Sequence, residues 1–340
     1  MTPDDRKVAV GVVGLGYWGP NLARNFAGLE TCELRWCCDR SEESLARWRG
    51  AFPGTLFTPA LDDLLADDGL DAVVVATDVP SHAPIAIAAL GAGKHCFVEK
   101  PLAQSAAEAT AVVEAAEAAS RTLMVGHLLE YHPGIAKLKE IVEAGDLGEV
   151  HYVYSNRVNF GKIRRDENAL WSLGAHDVSV LLHLFDEEPT EVLARGESYV
   201  RAGVEDVVFC YLRFPSGRVA HMHLSWLDPH KERRFTVVGS KRMATFDDME
   251  LERKVTIYDK AVDRDFRNYG EYITRSGDVM SPQVSNEEPL RIECRHFVES
   301  LTSGTEPRSG PASALRTVRV LEALQRSLES GATVQLAVPA

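Results

Sequence analysis

Disulfide and metal chemistry are the first things this sequence leaves out. Its six cysteines, Cys32, Cys37, Cys38, Cys96, Cys210 and Cys294, form no C-x-x-C and no Cys/His cluster at zinc-ligand spacing. Several fall in apolar runs that read as buried strands, so they are expected to be reduced core residues, and no metal site is expected. No run approaches the ~18 apolar residues of a membrane-spanning helix. The opening MTPDDRK lacks the charged-then-apolar pattern of a signal peptide, so a cytoplasmic location is expected. A surplus of positive charge is also missing. With 37 Lys and Arg against 50 Asp and Glu the net charge is −13, so neither nucleic acid nor an anionic membrane is an expected partner. An anionic ligand would have to be met by cations gathered locally. The chain has no internal repeat or low-complexity segment, and at 340 residues it is long enough for two domains, each with its own core.

What is present concentrates first in Lys7–Arg40. Val8, Val10, Val12 and Val13 form a β-branched run that reads as a strand buried on both faces. It ends in Gly14-Leu15-Gly16-Tyr17-Trp18-Gly19, a G-x-G-x-x-G turn, followed by a helix pattern and a second strand to Cys38. Asp39 stands 20 positions beyond Gly19. Each part has a mechanical reason: Gly14 permits the tight turn, Gly16 lets the backbone approach a pyrophosphate, and Gly19 lets helix and strand pack closely. The helix N-terminus offers unpaired N–H groups to phosphates, and the Asp39 carboxylate accepts the ribose hydroxyls of an adenosine. The pattern points to NAD. NADP is the alternative, because Arg40 and Ser41 offer a 2′-phosphate a cation and a hydroxyl.

Strand and helix patterns keep alternating through the first third, with buried strands at Asp71–Ala76, His95–Val98 and Thr122–Gly126. Short connections imply a parallel, doubly wound sheet with right-handed crossovers. Ligands on such sheets lie off the carboxyl ends of the strands, so Gly14, Thr77, Glu99 and Lys100 are expected to face one crevice. Strand then follows strand: Val150–Val158, Val207–Phe214, Arg218–Trp226 and Arg234–Val238. The fold class is therefore an N-terminal Rossmann domain, residues 1–127, and a C-terminal α+β domain, residues 128–340, with an open, mostly antiparallel sheet. Its helices are expected over Leu170–Leu184, Pro289–Ser303 and Ala312–Glu329. The polar stretch Asp263–Glu288 reads as an irregular surface loop.

Glu99-Lys100-Pro101 directly follows a parallel strand. A lysine there projects toward the cofactor, where desolvation and a positive nicotinamide would lower its pKa enough to exchange a proton near neutrality. Proline removes a backbone donor and fixes the direction of the chain. A solvent-facing lysine beside a helix start is the alternative reading of the tripeptide alone.

Together with Ala76-Thr77, Ser81-His82, Gly93–Leu102, Val125-Gly126-His127 and Leu147–Val150, these segments resemble the glucose–fructose oxidoreductase / inositol dehydrogenase / rhizopine-catabolism (Gfo/Idh/MocA) family over nearly the whole chain. The resemblance implies hydride transfer between a nicotinamide cofactor and a sugar or cyclitol carbinol. It places Gly14, Gly16, Tyr17, Trp18, Gly19, Asp39, Arg40, Thr77, His82, Glu99, Lys100 and Pro101 around the cofactor. His176 stands where the family's catalytic histidine stands, whereas Ser172 replaces the family's aspartate and can only hydrogen-bond. Proton transfer therefore falls to Lys100 and His176, expected to converge where the domains meet, with Ser172 positioning the substrate. Asp177 points elsewhere around the helix and is read as structural or substrate-facing.

The opening GYWGPNLARNF, Ser225–Pro229 and Val237–Lys241 resemble a subgroup acting on nucleotide-sugars, including UDP-N-acetylglucosamine 3-dehydrogenases. A pyrophosphate-bearing substrate needs cations, and Arg157, Lys162, Arg164 and Arg165 are the candidates, with a solvated basic loop as the alternative. The arginine that free-sugar members carry after Val125-Gly126 is replaced by His127. A keto-sugar reductase, a free-sugar or inositol dehydrogenase, and a non-catalytic NAD or sugar sensor remain alternatives. The resemblance also implies a homodimer or homotetramer, assembled through the open face of the sheet.

Overall fold

The valine-rich run expected to be a buried strand forms β1 (Val8–Val13), buried at every position. In the computed structural model, which describes residues 6–337 apart from 162, 165, 166 and 267–271, β1 lies at the centre of a six-stranded parallel sheet. Its other strands are β2 (Cys32–Cys38), β3 (Leu56–Thr58), β4 (Ala72–Val75), β5 (His95–Glu99) and β6 (Leu123–Gly126). The order β3-β2-β1-β4-β5-β6 reverses direction between β1 and β4, the switch point at which such sheets open a crevice. Helices α1 (Gly19–Ala27), α2 (Glu42–Arg49), α3 (Leu61–Leu65), α4 (His82–Gly91) and α5 (Ala106–Ala119) connect the strands. Ser105 caps α5 by accepting from Glu108 N, as the S-x-x-E pattern requires.

The second sheet has nine strands in the order β14-β13-β12-β11-β7-β10-β9-β8-β15. The helix α6 (Pro133–Glu143) precedes β7 (Val150–Phe160), and a π-helical turn at Leu170–Gly174 runs into α7 (Ala175–Phe185). The strands that follow are β8 (Glu191–Glu197), β9 (Val207–Arg213), β10 (Val219–Ser225), β11 (Leu227–Gly239), β12 (Met243–Asp247), β13 (Val255–Phe266) and β14 (Tyr272–Met280). After them come α8 (Pro289–Ser303), α9 (Pro311–Ser330) and the short β15 (Val334–Gln335). Among the described residues only the β7–β10 pair of this sheet is parallel, so the sheet is mostly antiparallel, as expected.

Two expectations are corrected. The stretch expected to be a loop from 263 to 288 carries the end of β13 and all of β14, an antiparallel pair at the sheet's edge. Nearly every residue of β14 is exposed, so it lacks the alternating apolar face by which a strand is recognised. The single boundary near 127 also misses a return of the chain. One compact unit comprises Met1–Tyr131 with Glu287–Arg319, and the other His132–Asn286 with Val320–Ala340. Helix α8 thus belongs to the first unit, where Phe297 packs edge-on against Phe26 and Phe97 at centroid distances of 6.2 and 5.6 Å. All six cysteines are free and buried. Among the described residues no helix is long and apolar enough to cross a membrane, and no His/Cys/Asp/Glu group could hold a metal ion.

Candidate active site

The glycine turn is shaped by close approach. Gly14 has φ +96°, and a Cβ there would lie 2.6 Å from the carbonyl oxygen of Ala76 at the end of β4. A Cβ on Gly19 would lie 1.8 Å from the Gly14 oxygen, so neither position admits a side chain. Gly16 is different: a Cβ there would meet nothing within 4 Å, and the open space beside its backbone suits a pyrophosphate. Helix α1 starts here without a side-chain cap; Pro20 has no N–H and Asn21 N donates to the Trp18 carbonyl at 2.9 Å, so the first turn leaves the Gly19 N–H to a ligand. Asp39 accepts from Leu15 N at 2.6 Å and Ser41 N at 2.8 Å, which pins its carboxylate beside the turn with lone pairs left for ribose hydroxyls. Tyr17 and Arg40 are exposed, and Arg40 reaches Asp78 at 4.0 Å. The residues present therefore fit a dinucleotide.

The end of β5 is tied to this turn. Glu99 accepts from Trp18 Nε1 at 2.7 Å and from Lys100 N at 3.3 Å. A Cβ at Gly126 would come within 3.1 Å of that carboxyl group, so the glycine ending β6 makes room for it. Burial pushes the Glu99 carboxyl up to about 7, against the opposing pull of Lys100 and the indole. The Lys100–Pro101 peptide is cis. His82 bridges the Pro101 and Thr77 carbonyls at 2.8 and 3.2 Å, and burial holds its pKa below the usual histidine range. The neutral ring donates to one of these carbonyls and lies against the other, which sets His82 as a brace between the loops after β4 and β5.

Two groups here were not assigned roles from sequence. The His127 ring is buried and neither nitrogen has a hydrogen-bond partner among the described residues. Burial, aided by Lys100, holds its pKa down at about 3, so the ring is neutral at working pH. Glu293 on α8 is buried with both oxygens unpartnered among the described residues, and burial, then Glu99 and Glu130, raises its pKa well above the usual range. Nothing local marks Glu293, because only the return of α8 brings it to this unit.

In the second unit, Ser172 is buried within the π-helical turn and His176 is half-buried at the start of α7. The junction of π and α turns lies between them, so their shared face is not the simple one that four α-helical positions give. Asp177 is completely buried: its Oδ1 accepts from Arg157 Nε and its Oδ2 from Ser155 Oγ at 2.8 Å. Arg157, a candidate for a substrate phosphate, is therefore an interior residue committed to a carboxylate. Arg164 pairs with Glu167 at 2.9 Å, and Lys162 and Arg165 lie outside the described residues.

The chain resembles known proteins over most of its length. Residues 8–127 match the model of an oxidoreductase family with an NAD-binding Rossmann fold, and residues 135–245 match the GFO/IDH/MocA C-terminal domain. The chain is 27% identical over 338 residues to a myo-inositol 2-dehydrogenase of Thermotoga maritima, covering 96% of this chain and 98% of the relative. It is 30% identical over 238 residues to a UDP-N-acetylglucosamine 3-dehydrogenase of Acidithiobacillus ferrooxidans, covering 70% and 73%. The solved structure of GenD2 from gentamicin A biosynthesis, in complex with NAD, superimposes with a TM-score of 0.83 at 26% identity, covering 98% of this chain and 97% of that one.

Proposed function

The chain belongs to the Gfo/Idh/MocA family of NAD-binding oxidoreductases, and on that premise we propose that it oxidises a sugar carbinol, specifically C3 of a nucleotide-sugar such as a UDP-N-acetylhexosamine. The observation that carries the reading is the 2.7 Å bond from Trp18 to Glu99, which fixes the start of Lys100 beside the dinucleotide turn. Bound NAD supplies the hydride acceptor. A carbinol carbon gives up hydride only as its hydroxyl proton leaves, so the protein must supply the base. Lys100, as the neutral amine, takes that proton. His176 serves as the second proton-transfer group and Ser172 as a neutral hydrogen-bonding partner that orients a hydroxyl.

The nucleotide-sugar reading is supported by the relative at 30% identity and by His127 in place of a free-sugar arginine. The full-length similarity to a myo-inositol 2-dehydrogenase favours a cyclitol as the second reading. Formation of NADH with UDP-N-acetylglucosamine, free N-acetylglucosamine and myo-inositol separates them. The first reading expects turnover on the UDP-sugar alone. Turnover on myo-inositol alone would replace it with the second.

A further inference from the structure

We infer that Arg233 is the substrate's anion anchor: a half-buried guanidinium built to receive a negatively charged group, a sugar carboxylate or a diphosphate. This rests on the proposed sugar oxidoreductase reading and deepens it by naming the substrate's charge. Arg233 on β11 is the cross-strand partner of Arg157 on β7, so the two side chains leave the same face of the sheet, the face on which Ser155 and Arg157 meet Asp177. Asp177 follows His176 directly. The local carboxylates are already committed. Asp177 gives one oxygen to Arg157 and the other to Ser155. Asp248 gives its Oδ1 to His132 Nε2 at 3.2 Å and to Lys254 Nζ at 3.3 Å.

What remains for Arg233 is a pair of neutral acceptors on a single nitrogen. Its Nη1 donates to the Val158 and Glu232 carbonyls at 2.9 and 2.8 Å, while Nε and Nη2 donate to nothing among the described residues. Two donors in fixed fork geometry are thereby left for a planar anion. The electrostatics agree: burial, then the neighbouring Arg157, pulls the Arg233 pKa down to about 10, and Asp177 and Asp248 oppose that shift without cancelling it. Its strand neighbour Arg234 is unlike it, being paired with Asp247 at 2.7 Å.

The test is calorimetric titration of NAD-loaded wild type, Arg233→Leu and Arg233→Lys with UDP-N-acetylglucosamine, its C6 carboxylate analogue, UDP and neutral N-acetylglucosamine, with NADH formation followed alongside. Wild type should bind an anionic probe more tightly than neutral N-acetylglucosamine. Arg233→Leu should lose about 10- to 100-fold for that probe and nothing for the neutral sugar, and Arg233→Lys should recover part of the loss. A loss for UDP and both UDP-sugars alike assigns the diphosphate to Arg233, whereas a loss confined to the C6 carboxylate analogue assigns the sugar carboxylate. Equal affinities of wild type and both variants for every anionic probe would overturn the inference. If Arg233→Leu does not fold, Arg233→Lys decides alone, because it keeps the charge but not the fork. Anion binding that depends on Arg233 without NADH formation from any sugar would leave the inference standing and sink the oxidoreductase reading instead.

Discussion

Lys100 and His176 carry the proposed chemistry, and neither belongs to the phosphate turn. General-base assistance is commonly worth ~10²- to 10⁴-fold, so Lys100→Met and His176→Ala should each lower kcat by about that factor while calorimetry shows unchanged NAD binding. Ser172→Ala should cost less, because a neutral hydrogen bond is weaker than a base. Arg157 belongs to stability instead. Removing one partner of a buried ion pair strands a charge, so Arg157→Ala should destabilise the protein by ~3–5 kcal/mol in urea unfolding. A fall in stability below ~1 kcal/mol would return Arg157 to the surface class. Glu99 gives a pH signature. Its folded pKa, about 7, lies above the ordinary value of 4.5, so the native state holds the proton more tightly than the unfolded chain. Stability from this group is therefore present below pH ~4.5 and lost as the pH rises to about 7. Glu99→Gln keeps an acceptor for the Trp18 indole and removes the charge, so its melting temperature relative to wild type should climb between those pH values. A gap that stays constant with pH would contradict the assignment.

At the scale of elements, β1, the glycine turn, α1 and β2 form the unit proposed to select the cofactor. Asp39 at the end of β2 would repel a 2′-phosphate, so titration of the apoprotein should show NAD binding more tightly than NADP; the reverse order would give the role to Arg40. This unit was legible because all its signals are local: glycines at fixed spacing, an apolar run, and an acid one strand later. The alternating patterns of β7, β9 and β10 were legible for the same reason, since one face of each is buried and the other is not. The pairing of β13 with β14 was not, because an exposed edge strand has no face to bury and its sequence looks like a polar loop. Arg157 was misjudged because an arginine in an alternating strand looks solvated until a helix delivers Asp177 against it. Arg233 went unnoticed for a related reason: its distinction lies in what its neighbours already bond, which no linear pattern records.

On the scale of the whole molecule, the nine-stranded sheet has one face lined by buried Val208, Cys210 and Leu212 and another that presents aromatic rings. On the latter, Phe209 is 54% exposed and stacks on His223 at 4.6 Å, while Tyr154 stacks on His221 at 5.2 Å. An apolar patch of this kind on an open sheet calls for a cover, and closed symmetry makes a dimer or tetramer the expected result. Analytical ultracentrifugation at micromolar concentration should show that assembly, and Phe209→Lys should weaken it; a wild-type monomer would contradict the expectation. With a net charge of −13, the chain would have to gather its cations locally to hold the anionic substrate proposed for Arg233. Hydride transfer coupled to a lysine base is tested by following NADH absorbance after UDP-N-acetylglucosamine is mixed with NAD-loaded wild type and Lys100→Met. Wild type should form NADH and Lys100→Met should do so ~10²- to 10⁴-fold more slowly with its cofactor still bound. Near-native turnover by Lys100→Met would contradict the account.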